Sequence, residues 1–188
     1  MTTRRRVLGI GVVACLAGGL APAVAATPQG AGQHSTPFEI PAAMKAEHEK
    51  LHADLLTLTK APGRTGEAAT RVAAVLHDHF VKEEELALPP LGLLAPLAAG
   101  HATPEMQHVI VLTDRLKAEL PQMINEHKAI VRELDELGRA AKAEHNAAAT
   151  RFVEELTLHA QTEEQVLYPA AVLVGEYLKL KLPHATSK

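Results

Sequence analysis

The chain has 188 residues with 47% hydrophobic and 3% aromatic side chains, one Cys, no Trp and 11 His, and its 19 Lys plus Arg nearly balance 22 Asp plus Glu. That is one domain's worth of chain with enough apolar residues for a core, and the scarcity of β-branched and aromatic runs argues against a sandwich or barrel. A formal charge of −3 leaves no polybasic surface for nucleic acid or anionic lipid, so an all-α fold is expected and the histidines are what remains to be explained.

At the N-terminus, Arg4-Arg5-Arg6 precede an apolar stretch from Val7 to about Leu20, followed by Pro22 and Ala23-Val24-Ala25. This pattern reads as an export signal over residues 1–26, of twin-arginine character, and points to a periplasmic or extracellular destination. The stretch is too short and too interrupted by Gly for a stable membrane span, and nothing later approaches the roughly 20 apolar residues a span needs. Val12-Val13-Ala14-Cys15 also fits a lipoprotein signal, a minor alternative because apolar residues continue past Cys15. With residues 1–26 set aside, 16 basic residues face 22 acidic ones and no thiol remains. Any bound metal must then be held by imidazole and carboxylate, which suits Fe, Zn, Cu or Mn. Residues 27–40 carry no periodicity and read as a flexible leader.

Residues 41–182 show helical spacing in four segments, expected to form an up-down-up-down antiparallel four-helix bundle. The first, about 41–60, carries the inward stripe Met44, His48, Leu51, Leu55 and Leu58. The second, about 66–87, carries Val72, Leu76, His79, Glu83 and Leu86, and an apolar loop then leads to Thr103-Pro104, an N-cap and first-turn pair. A third helix starts there; Pro121 is expected to kink or break it, and Met123, His127, Ile130, Leu134 and Leu137 follow. The fourth, about 145–168, carries Phe152, Leu156, His159, Glu163 and Val166. After Pro169, Ala170 to Leu182 reads as a short apolar helix packed on the bundle end.

The segments repeat one another. His79-Phe80-Val81-Lys82-Glu83-Glu84, with Pro89 ten residues after the His, matches His159-Ala160-Gln161-Thr162-Glu163-Glu164 with Pro169 at the same distance, and Glu47-His48 matches Glu126-His127. In antiparallel hairpins His48 falls level with His79, and His127 with His159, at 1.5 Å rise per residue. His79 and Glu83 share a face one turn apart, as do His159 and Glu163. Four imidazoles and two carboxylates then converge in the interior, where leaving charges unpaired costs several kcal/mol each. A bound cation resolves this, and a set this large, with carboxylates able to bridge, favours two ions over one.

These motifs, with Leu167-Tyr168-Pro169, resemble hemerythrin and the bacterial hemerythrin-like HHE cation-binding domains over about residues 43–170. The resemblance implies a bundle holding two non-haem irons, with His48, His79, His127 and His159 as terminal ligands, Glu83 and Glu163 as bridges, and O2 bound at an open position. Glu84 and Glu164, one residue off the stripe, rank second as ligands. The family's oxygen carriers have a fifth His where this chain has Val131; His52, four residues after His48, is the candidate replacement.

His48-Glu49-Lys50-Leu51-His52 also spells H-E-x-x-H, the helix motif of zinc peptidases, but that reading leaves His127 and His159 unexplained. A ferritin-like site needs Glu-x-x-His on two helices, and only Glu49-x-x-His52 is present. His77, His101, His108, His145 and His184 read as surface residues, His34 belongs to the leader, and Tyr168 reads as a packing anchor or a hydrogen-bond donor beside the site. The expectation is an exported di-iron protein binding O2, NO, peroxide or iron itself, and not primarily an enzyme, with oxidase or peroxidase-like chemistry if protons or electrons are supplied. Metal storage or scavenging is the alternative function, Zn or Mn the alternative ions.

Overall fold

The computed structural model describes residues 39–182. The expected export signal, Cys15, His34, His184 and nearly all of the expected leader lie outside them. All regular structure among the described residues is helical. Four helices, α1 (Ala42–Leu58), α2 (Gly63–Lys82), α4 (Gln107–Ala143) and α5 (Ala147–Thr162), form a ring in which α1 and α4 each pack against both α2 and α5. The turns joining α1 to α2 and α4 to α5 are short, as antiparallel neighbours require. The inward stripes are buried as their spacing predicts, from His48, Leu51, Leu55 and Leu58 in α1 to Phe152, Leu156 and His159 in α5; Met44 is half-buried. No described helix is long and apolar enough to cross a membrane.

The structure departs from the sequence reading in three places. The stretch read as a loop folds into a 3-10 turn Pro89–Leu93, a short helix α3 (Leu94–Ala98) and a second 3-10 turn Pro104–Met106. Its leucines serve the core: Leu91, Leu93 and Leu97 are buried. Pro121 does not break α4, which runs unbroken for 37 residues, about 55 Å at 1.5 Å rise. Pro121 is exposed, as is Lys117, whose carbonyl is the one deprived of an amide partner, while Val109 and Leu116 before it and Met123 and Ile130 after it are buried in the packed faces.

The third departure shapes the site. After Lys82 and again after Thr162 the backbone widens into a π turn, Glu83–Ala87 and Glu163–Leu167. The N–H of Leu88 donates to the Glu83 carbonyl at 2.9 Å, and that of Tyr168 donates to the Glu163 carbonyl. Each π turn takes up roughly one extra residue, which rotates everything beyond it relative to a plain α-helical stripe. Val166, expected inward, is therefore 56% exposed, and Tyr168 is buried at 1%. The chain continues without interruption into α6 (Tyr168–Lys181), with Pro169 in its first turn, and α6 packs along the first half of α4.

At the end of the bundle away from α6, the two interhelical turns clasp. Gly63, at φ +74°, lets the backbone approach so closely that an added Cβ would lie 2.5 Å from Glu144 Oε1. The Glu144 carboxylate accepts from the N–H groups of Arg64 (2.7 Å) and Thr65 (3.0 Å), capping α2. Asn146 Oδ1 accepts from the Ala149 N–H at 3.0 Å and caps α5.

Gly175 marks the closest approach of α6 to α4: a Cβ there would fall 1.8 Å from Thr113 Oγ1. Gly175→Ala is expected to destabilise the fold by about 1–3 kcal/mol through overpacking. Gly138→Ala, whose Cβ would meet Val153 at an ordinary 3.7 Å, should be neutral or stabilising. Thermal denaturation of the two variants beside the wild type checks the contrast.

Candidate metal centre

Glu83 and Glu163, the first residues of the paired π turns, lie at the centre of the bundle, at 0% and 1% exposure. His48, His79, His127 and His159 surround them at 1–3% exposure, one from each helix of the ring. His79 Nε2 lies 3.1 Å from Glu83 Oε1, and His159 Nε2 lies 3.0 Å from Glu163 Oε1. His48 Nε2 lies 3.5 Å from Glu163 Oε1, and His127 Nε2 lies 3.4 Å from Glu163 Oε2. Two four-donor groups result, His48-Glu83-His159-Glu163 and His79-Glu83-His127-Glu163, each with its ligand atoms within 4.8 Å of one another. Both carboxylates belong to both groups. The histidines in each group come from different hairpins, His48 beside His159 and His79 beside His127, with ring centroids 5.0 and 4.5 Å apart.

Every imidazole is held from behind by a second carboxylate. His79 Nδ1–H donates to Glu126 and His127 Nδ1–H to Glu164, both at 2.9 Å. His48 Nδ1–H donates to Glu84 at 3.4 Å, and His159 Nδ1 lies 3.3 Å from Glu47. A proton fixed on Nδ1 leaves the Nε2 lone pair facing inward, the tautomer a metal ligand needs. This explains why the repeat is written Glu-His in α1 and α4 and Glu-Glu after α2 and α5. Glu84 and Glu164, ranked as secondary ligand candidates from sequence, instead reach the outer side of His48 and His127.

The electrostatics show what the cluster lacks. Burial alone would lower the His127 pKa, but Glu163, Glu83 and Glu164 outweigh it and raise it to about 10. His79 and His159 are also raised against burial, chiefly by Glu83 and Glu163 respectively. Burial would raise the Glu163 carboxyl, yet His127, His159 and His48 hold it well below the usual carboxylate range. Without metal, the carboxylates thus draw protons onto the imidazoles. Even so, Nε2 of His48, His79 and His159, Glu83 Oε2 and Glu163 Oε1 are buried with no hydrogen-bond partner. Orphaned donors of this kind, converging from three helices, fit a metal site.

Residues 118–180 match the family model of the hemerythrin HHE cation binding domain. This hemerythrin-like segment runs from within α4 to near the end of α6 and contains His127, His159, Glu163, Glu164 and Tyr168. The first hairpin, outside the matched residues, repeats its histidines and glutamates as His48, His79, Glu83 and Glu84, with Leu88 where the second has Tyr168. No curated protein and no solved structure matches the chain.

Six of the seven candidate ligands come together: His48, His79, Glu83, His127, His159 and Glu163. His52 does not join them. It is exposed and lines a cavity of about 220 Å³ between α1 and α2, together with His77, Glu49 and the outer side of His48 and Phe80. One helical turn beyond His48, its side chain leaves over the α1–α2 groove, because Leu51 and Leu55 hold the inward positions of that stretch. His48 and His52 share no donor group among the described residues, so the H-E-x-x-H pattern is not assembled into a site. His101, His108 and His145 are exposed, as expected.

Two further groups complete the centre. Glu126 is tied down by His79, Lys82 and Gln122; burial would raise its carboxyl, but these donors bring it to about 2. Its signal in the sequence is the repeated Glu-His pair. Glu126→Gln is expected to weaken metal retention about 10–100-fold by releasing His79, with the fold intact. Competition against a chelator of known affinity reads that loss. Tyr168 is the other: its hydroxyl donates to Glu83 Oε1, lies 3.3 Å from His127 Nε2, and its ring stacks on His127. Burial and the carboxylates of Glu83 and Glu163 hold this phenol far above its usual range, so it is a hydrogen-bond donor in the metal-free fold.

Proposed function

We propose that this chain is an exported, hemerythrin-like non-haem di-iron protein that binds O2 or a related small oxidant such as NO or peroxide inside the bundle. The observation that carries the reading is the pair of four-donor groups sharing Glu83 and Glu163, all of whose donors are buried. His48 and His159 would hold one ion, His79 and His127 the other, and the two carboxylates would serve both. The bound iron pair supplies the redox-active centre at which the oxidant binds. The thiol-free donor set of imidazole and carboxylate suits iron, with Zn or Mn as alternatives.

The protein's own part is positioning and exclusion of water. Two apolar clusters flank the centre: Leu55, Leu76, Phe80 and Ile130 belong to one, Leu88, Leu116 and Met123 to the other. Phe80 stacks on the His48 ring at 4.3 Å, closing the side toward the α1–α2 groove. Exclusion of water from the pocket favours binding over turnover. Export rests on Arg4-Arg5-Arg6 and the apolar run after it, which points to the periplasm or the cell exterior.

Metal analysis of protein purified without added metal, followed by optical spectra without and with air, tests this reading. About two irons per chain, as a bundle-core dinuclear site requires, and absorption that changes on exposure to air support it. One tightly held zinc, or no metal at all with the fold unchanged by chelation, overturns it. Iron that loads and leaves without any response to air points to storage instead.

A further inference from the structure

The two halves of the centre are built by a repeat, yet they are not equivalent. In each half the i→i+5 hydrogen bond of the π turn sets a residue one wide turn beyond the shared glutamate: Leu88 after Glu83, Tyr168 after Glu163. Both residues are buried, at 0% and 1% exposure. One presents only hydrocarbon, the other a phenol. The Tyr168 oxygen falls beside Glu83 Oε1 and 3.3 Å from His127 Nε2, atoms that both belong to the His79-Glu83-His127-Glu163 group. By burial, orientation and neighbours it stands among that group's donor atoms.

We infer that Tyr168 is a fifth protein ligand to the ion held by His79 and His127, its phenolate oxygen completing a set that the sequence leaves without a fifth histidine. This rests on the two-ion reading above. Among the described residues the side of His48 and His159 has no such group, so its ion would keep four protein donors and more room for an exogenous molecule. On coordination the O–H bond of Tyr168 breaks, its electron pair forms the metal–oxygen bond, and the proton leaves to solvent. Position 88 shows why this could not be read from the repeat alone: the same backbone device there delivers a leucine.

The chain's aromatic content makes the inference testable, because it has two Tyr and no Trp. The full-length metal-free protein is titrated with Zn2+, which is colourless, while bound metal is counted and the ultraviolet difference spectrum is recorded. The expected result is a tyrosinate signal worth one phenol per chain as the site fills, abolished in Tyr168→Phe and retained in Tyr177→Phe. Tyr168→Phe should also lose affinity for one of the two ions and keep it for the other. Full metal binding with no tyrosinate signal, or a signal that survives Tyr168→Phe, overturns the inference and leaves the two-ion reading standing. Failure of the wild type to take up any metal overturns both. Circular dichroism of the metal-free variants separates loss of a ligand from loss of the fold.

Discussion

His79→Ala combined with His159→Ala is expected to abolish iron retention, taking the protein from about two ions per chain to none. The two substitutions strike different groups. His79 serves the group with His127, and His159 serves the group with His48, so each ion falls from two imidazoles to one. Each truncation also leaves its outer carboxylate, Glu126 or Glu47, without the imidazole it orients. His101→Ala removes an exposed histidine and should change nothing. Metal content after gel filtration, with helicity checked in parallel, gives the answer; iron retained by the double variant would place the site elsewhere.

Removal of metal from the wild type should produce the second large effect. A ligand that binds only the folded state stabilises it by about 3–4 kcal/mol at 100 to 1,000 times its dissociation constant. For a domain of this length that corresponds to roughly 10 °C in Tm, lost on treatment with a chelator and regained on reloading. The size of the gap should depend on pH, with a sign set by the imidazoles. His79, His127 and His159 have raised pKa values in the metal-free fold. Their contribution to that fold is full below the unfolded value of about 6.5 and is lost as pH rises, for His127 through about 10. Protons also compete with metal for the same Nε2 atoms, so affinity rises over that range. The Tm gap between loaded and metal-free protein should therefore widen from pH 6 to pH 9, and a gap that narrowed would contradict the site.

Residues that lie on a straight helical stripe are legible in the sequence. His48, His79, His127 and His159 keep the 4, 3 spacing of the leucines around them, so the face that buries Leu51 or Leu156 buries them as well. Glu83 and Glu163 follow by the same count. Beyond those two residues the pattern loses its register, because a π turn differs from an α turn by one backbone hydrogen bond that no side-chain pattern records. Val166, expected inward, is turned outward for that reason, and Tyr168 takes the buried position. Pairing across hairpins is a property of the ring of helices, which is why spacing sets His48 level with His79 but cannot reveal its partnership with His159. The outer carboxylates are visible in the sequence as repeated Glu-His and Glu-Glu pairs. Their task emerges only when Glu47 meets His159 and Glu126 meets His79, contacts between segments far apart in the chain.

The division of each donor group between hairpins gives the bound ions a mechanical role. His48 and His159 are 111 residues apart in the chain, His79 and His127 are 48 apart, and no Cys lies among residues 39–182. An ion held by such a pair closes a loop in the way a disulfide does, restricting the unfolded chain more the longer the loop. Two ions would make a double cross-link in a protein that has no sulfur bridge with which to form one. The same ions would then staple the two halves of the bundle, and a truncated single hairpin would have neither the site nor the staple.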